Sequence, residues 1–158
     1  MKRFSIFCAA IGAMLLAACH SGTFDEPDGL QGDTIQLSTD RLTFGADGAT
    51  KEVTSKGAFW TIINFQENGS TYIAHPEAVE SDEYAAYDFE FENLEGAFCD
   101  EANPAVTLVR SPWFELRREL RSITVTTAPN DTGKERSVVF TLEDRNYFCR
   151  LTVTQAAE

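Results

Sequence analysis

Hydrophobic and polar residues alternate along most of the chain, most clearly between residues 122 and 155. Ile123 and Val125 share one face there. Val138, Phe140 and Leu142 share a second, and Tyr147, Cys149, Leu151 and Val153 a third. Successive side chains of a strand point to opposite faces, so each run reads as a half-buried β-strand. Turn formers separate the runs: Pro129-Asn130-Asp131-Thr132-Gly133 and Asp144-Arg145-Asn146.

The same period recurs upstream. Ile35 and Leu37 alternate with polar neighbours in a short first strand, and Leu42 and Phe44 repeat the pattern. A turn at 45–48 leads to a polar, edge-like strand at 50–54. The apolar run 58–65 (A-F-W-T-I-I-N-F) reaches Glu67-Asn68-Gly69. That is a hairpin signal, because Asn and Gly accept positive φ, and 70–74 is its return strand. Tyr87, Phe89 and Phe91 alternate with Asp88, Glu90 and Glu92, which predicts a strand with an acidic outer face. Val106 to Val109 begins another strand, and Trp113-Phe114-Glu115-Leu116 follows Ser111-Pro112. Beyond the N-terminus, helical periodicity is confined to one short candidate at 77–86. Many short strands punctuated by turns predict an all-β protein, an antiparallel β-sandwich.

The N-terminus is built differently. Lys2 and Arg3 precede an apolar run of 13 residues, Phe4 to Leu16, too short for an ordinary membrane span. Leu16-Ala17-Ala18-Cys19 then resembles a bacterial lipobox. The resemblance implies a signal peptide over 1–18, cleavage before Cys19, and a lipid (palmitate among its acyl chains) on Cys19. The mature chain is then a lipoprotein tied to a membrane, in a compartment that permits disulfides. Residues 19–33 are polar and rich in Gly and acid, which reads as a flexible tether. Asp25, Glu26 and Asp28 resemble the surface-export signal of Bacteroides-type outer-membrane lipoproteins. Asp33-Thr34-Ile35 resembles the O-glycosylation sequon of the same bacteria, with Thr34 as acceptor.

Composition narrows the partners. A formal net charge of −12 argues against nucleic acid, whose binding rests on cationic contacts to phosphate. Two His and no CxxC pair leave no zinc site. The acids between 77 and 101 lack the spacing of a calcium loop, so no metal and no cofactor is expected. Asp88 and Glu90 are adjacent acids on a strand, without further signs of a glycosidase pair. His75 has no triad motif around it, so the chain does not read as an enzyme.

Several segments together resemble one family. Residues 37–54 (L-S-T-D-R-L-T-F-G-A-D-G-A-T-K-E-V-T) look like the opening of a BACON domain, the Bacteroidetes-associated carbohydrate-binding often N-terminal domain. Trp60 and Trp113 fall where the family places its two tryptophans. Residues 130–136 (N-D-T-G-K-E-R) resemble its N-x-T-G-x-x-R turn, and Val153-Thr154-Gln155 its closing V-x-Q. The resemblance implies an immunoglobulin-like β-sandwich over 34–158. It fails at about 66–112, which reads as a β-rich excursion inserted between the tryptophans.

The family name implies glycan binding, and sugar rings stack on flat aromatic faces. Trp113, Tyr72, Tyr84 and Tyr87 are therefore the candidate platform, whereas Trp60 belongs in the core. Cys99 and Cys149 are either a disulfide pinning the insertion to the last strand or two separate buried thiols. Arg110, Arg117, Arg118 and Arg121 are expected to pair with the acidic insertion, and Arg136 to be structural. Two functions stay open. One is a lipid-anchored binding module for glycan or an envelope protein. The other is a non-catalytic structural or accessory subunit of an envelope complex.

Overall fold

The computed structural model describes residues 32–93 and 103–158. Among these residues ten strands form two five-stranded sheets. The first runs β1 (Arg41–Phe44), β10 (Tyr147–Gln155), β9 (Arg136–Asp144), β3 (Thr61–Glu67) and β4 (Ser70–Ile73). The second runs β2 (Ala49–Thr54), β8 (Ser122–Thr127), β7 (Phe114–Arg118), β6 (Ala105–Arg110) and β5 (Asp88–Glu92). Pairing is antiparallel throughout except for β1, which lies parallel to β10. In the immunoglobulin sandwich, strands C, F and G share one sheet and B, E and D the other. β3, β9 and β10 occupy the first set of places here, and β2, β8 and β7 the second. The protein is an immunoglobulin-like β-sandwich.

The alternation explains the core. Phe65, Phe140, Leu142, Leu151 and Val153 from the first sheet meet Val53, Val109, Leu116, Ile123 and Val125 from the second, and all are fully buried. Trp60 is also fully buried, as its apolar surroundings predict. β2 is polar, with only Val53 inward, and it is an edge strand as expected.

The described parts of 66–112 are β-rich, and the fold takes them into both sheets. β4 forms one edge of the first sheet, and β6 and β5 extend the second beyond β7. β6 is buried along five of its six residues, so it is part of the sandwich proper. Two expectations need correction. The strand at 35–37 reduces to a single bridge between Leu37 and Ser55. The helix at 77–86 is two fragments, α1 (Pro76–Val79) and one 3-10 turn (Asp82–Tyr84). Pro76 starts α1, where a missing N–H costs nothing, and His75 Nδ1 accepts from the Glu77 amide at 3.3 Å.

The family-like motifs have structural work to do at one end of the sandwich. The side-chain amide of Gln155, fully buried, donates to the carbonyls of Ala128 (2.8 Å), Gly45 (3.2 Å) and Ala46 (3.3 Å). Its oxygen accepts from Arg136 Nε at 3.0 Å. Asn130 is 1% exposed and donates to the carbonyls of Lys134 and Ala156, while its oxygen accepts from the Thr132 hydroxyl at 2.7 Å. Gly48 sits at φ +76° with its backbone against Thr127, so a Cβ there would run into the Thr127 carbonyl.

Gln155→Leu fills the same space but strands three carbonyls and the Arg136 Nε–H. It is expected to cost about 2–4 kcal/mol in urea unfolding, against within about 0.5 kcal/mol for the exposed Thr126→Ala.

Candidate functional site

β3 carries Phe65 into the core and Glu67 two residues later, in the same inward register. Glu67 is 8% exposed. A buried carboxylate needs donors, and two side chains from the second sheet's side supply them. The Trp113 indole N–H donates to Oε1 at 2.5 Å and the Tyr87 hydroxyl to Oε2 at 2.7 Å. Arg136 lies with its guanidinium 4.8 Å from the centre of the Trp113 ring. These contacts join β3, the start of β5, the approach to β7, and β9.

An aromatic cluster surrounds this carboxylate. Phe65 stacks on Tyr72 and meets Tyr87 edge-on, both with ring centres 5.0 Å apart. Tyr84 packs edge-on against Tyr72 at 5.6 Å, and its hydroxyl accepts from the Ile73 amide at 2.8 Å. Tyr84 thereby fixes the fragmentary helical connector onto β4.

The structure brings all four glycan-candidate aromatics close to this hub and buries two of them. Trp113 and Tyr84 are each 8% exposed, while Tyr72 and Tyr87 are half-buried. A stacking platform needs an open ring face, which Trp113 and Tyr84 do not offer. Pro112 beside Trp113 marked a loop, but the ring turns back toward Glu67. Glu67 is the residue that sequence reasoning missed. It reads as part of a turn, although its i, i+2 relation to Phe65 places it on the core face.

The electrostatics follow from burial. Burial first, then the hydrogen bond to Glu67 and the neighbouring Tyr72, raises the Tyr87 phenol far above its ordinary value. Burial lowers the Arg136 guanidinium, opposed by Asp131 and Glu67. Burial raises the Glu143 carboxyl. Burial, followed by Asp33 and Asp40, pushes the Cys149 thiol up to about 12.

The arginine cluster divides. Arg110 pairs with Glu115 (2.8 Å) and Asp88 (3.8 Å), and Arg117 with Glu90 (3.2 Å) and Glu115 (3.7 Å). The register sets Glu90, Leu108 and Arg117 in one row, so the Arg117–Glu90 pair spans β6 above Leu108. These two arginines do meet the acidic face of β5. Arg118 is buried and donates to the carbonyls of Trp60 and Ala58, and Arg121 donates to that of Lys56.

Cys149 is half-buried and carries a free thiol, and Cys99 lies outside the described residues. Cys19 also lies outside them. The Thr34 hydroxyl is enclosed, with no hydrogen-bond partner among the described residues. Among the described residues no three His, Cys, Asp or Glu side chains gather where a metal ion could sit.

No protein-family model and no curated protein matches the chain. Among solved structures it is similar to the NMR structure of a protein from Bacteroides thetaiotaomicron. That likeness has a TM-score of 0.53 and 18% identity, over 86% of this chain and 97% of the other, and it extends to the fold alone. A weaker likeness is to an endo-fucoidan hydrolase from glycoside hydrolase family 107. It has a TM-score of 0.38 and 10% identity, and covers 82% of this chain but 14% of that one.

Two outcomes are expected. Glu67→Leu, which leaves the Tyr87 hydroxyl and the Trp113 N–H unpaired, costs about 2–4 kcal/mol in urea unfolding; Glu67→Gln, keeping one acceptor, costs less. Tyr87 has a raised folded pKa, so its contribution is complete below the ordinary phenol range and is lost as pH rises through it. The melting temperature should therefore fall more steeply above about pH 10 in the wild type than in Tyr87→Phe.

Proposed function

We propose that the chain is a lipid-anchored, non-catalytic module of the bacterial cell envelope, a BACON-like sandwich that acts as an accessory or spacer subunit. The observation that carries this is the pairing of Leu16-Ala17-Ala18-Cys19 with an immunoglobulin-like sandwich that packs two of the candidate sugar-stacking rings, Trp113 and Tyr84, inside. The lipobox resemblance supports a Cys19 acyl anchor and an outer-membrane location. The burial of Trp113 and Tyr84 favours the accessory role over a glycan platform. The likeness to a Bacteroides protein of the same fold fits the bacterial group that the BACON resemblance implies.

Glycan binding is the second reading. Tyr72 and Tyr87 favour it, since both keep part of their rings at the surface beside the acidic strand β5. In that reading the ligand lies along the β4–β5 side.

Mass spectrometry of the full-length protein from bacterial membranes should find a chain beginning at an acylated Cys19. Cys19→Ala should release it to the soluble fraction. Detergent extracts should then yield stoichiometric membrane partners; a lone monomer that binds polysaccharide, and loses it in Tyr72→Ala without unfolding, would replace the accessory reading with the glycan one.

A further inference from the structure

Among the described residues the edges of the two sheets are β1, β2, β4 and β5. An uncovered edge invites another chain to add to it, and charged side chains are a common guard. β1 carries Arg41, β2 carries Lys51 and Glu52, and β5 carries Asp88, Glu90 and Glu92. β4 reads Ser70-Thr71-Tyr72-Ile73 and carries no charge. Its Thr, Tyr and Ile all suit a strand. Ala74 N bonds back to the Ile63 carbonyl at 2.9 Å, whereas Ile73 N points the other way, to the Tyr84 hydroxyl at 2.8 Å. By the alternation of an antiparallel pair, the Thr71 N–H and C=O face the same open side, where no described residue bonds them.

What guards β4 is the connector that follows it. Residues 75–86 hold only α1 and the 3-10 turn. Their backbone bonds run among themselves: Ala78 and Val79 to His75, Ser81 to Ala78, Tyr84 to Ser81, and Ala85 to Asp82. Within this span Tyr84 alone is buried. Among the described residues, the one hydrogen bond from the span to a sheet strand is that between the Tyr84 hydroxyl and the Ile73 amide. The Tyr84 ring meets Tyr72 of β4 edge-on at 5.6 Å and Phe89 of β5 at 6.0 Å. Tyr84 thus fills an aromatic slot at the sheet edge and accepts the bond that an added strand would accept. Such a strand offers a carbonyl in place of the hydroxyl and a ring in place of the Tyr84 ring. A segment held by so few contacts opens without global unfolding. The connector also sets the charge of the approach. Glu77, Glu80, Asp82 and Glu83 are exposed, and none is in an ion pair among the described residues.

We infer that β4 is a docking edge for an extended segment of a partner protein, and that Tyr84 closes this edge until the segment displaces it. The segment carries an aromatic residue for the Tyr84 slot and basic residues beside the connector acids. This rests on the accessory-subunit reading and names the surface through which the subunit holds its partner.

The test measures, by calorimetry on the full-length protein in detergent, binding of a synthetic peptide of alternating threonine and tyrosine flanked by arginine. Tyr84→Ala removes the competing ring and hydroxyl, and should bind the peptide more than about tenfold more tightly than the wild type. Tyr84→Phe keeps the ring and loses only the hydroxyl, and should gain about threefold. The same peptide methylated on its backbone nitrogens keeps its side chains but cannot add as a strand, and should not bind. Folded variants that bind no more tightly than the wild type, or a methylated peptide that binds as well as the plain one, overturn the docking edge. If Tyr84→Ala does not fold, Tyr84→Phe and the methylated peptide decide. Stoichiometric partners in detergent extracts would then leave the accessory reading standing without this edge. A lone monomer in those extracts removes the accessory reading, whatever the peptide does.

Discussion

A continuous run of polar and aromatic contacts holds one end of the sandwich closed, and the rest of the architecture leans on it. It starts at the buried amide of Gln155, passes to Arg136, crosses the Trp113 ring, reaches the Glu67 carboxylate and ends at Tyr87 and Tyr72. Each step joins elements far apart in sequence. The two sheets of a sandwich are otherwise held by non-directional apolar contact, which resists separation but not sliding. Directional hydrogen bonds to a buried carboxylate and a buried amide fix the relative placement of the strands. Such groups are costly if left unpaired, so the arrangement is also selective: a register slip would strand several of them at once.

Much of the fold is legible in the alternation of residues, because β1, β5, β7 and β10 alternate more and less buried positions as written. The described ends of the strands follow the turn formers, as at Asn68 and Gly69, which both take positive φ. What the alternation conceals is partnership. The run from Tyr87 to Glu92 announces a strand with an acidic face, but not that it pairs with β6 and that Arg110 and Arg117 answer its charge. β6 is buried on both faces, so its pattern carries no period to read. The site was half visible. Trp113, Tyr72, Tyr84 and Tyr87 do come together, but the direction of a ring beside Pro112 depends on an acceptor 46 residues away in sequence.

The outer faces of the two sheets are largely polar. β2 and β8 present Thr50, Glu52, Thr124 and Thr126, and β1 and β10 present Arg41, Thr43, Thr152 and Thr154. Threonine suits the pleated surface while leaving a hydroxyl to water. At the edge strand β5, three carboxylates discourage another chain from adding to the sheet.

The parallel pairing of β1 with β10 carries a mechanical consequence. The N-terminal side enters at the start of β1, and β10 runs beside it in the same direction toward the opposite end. A pull on the chain before residue 33 against a load at the far end draws β1 one way along its axis and β10 the other. The bonds between Arg41–Phe44 and their partners are then loaded together in shear rather than opened one after another. The first strand acts as a clasp, so tension that would peel a hairpin is resisted by several bonds at once.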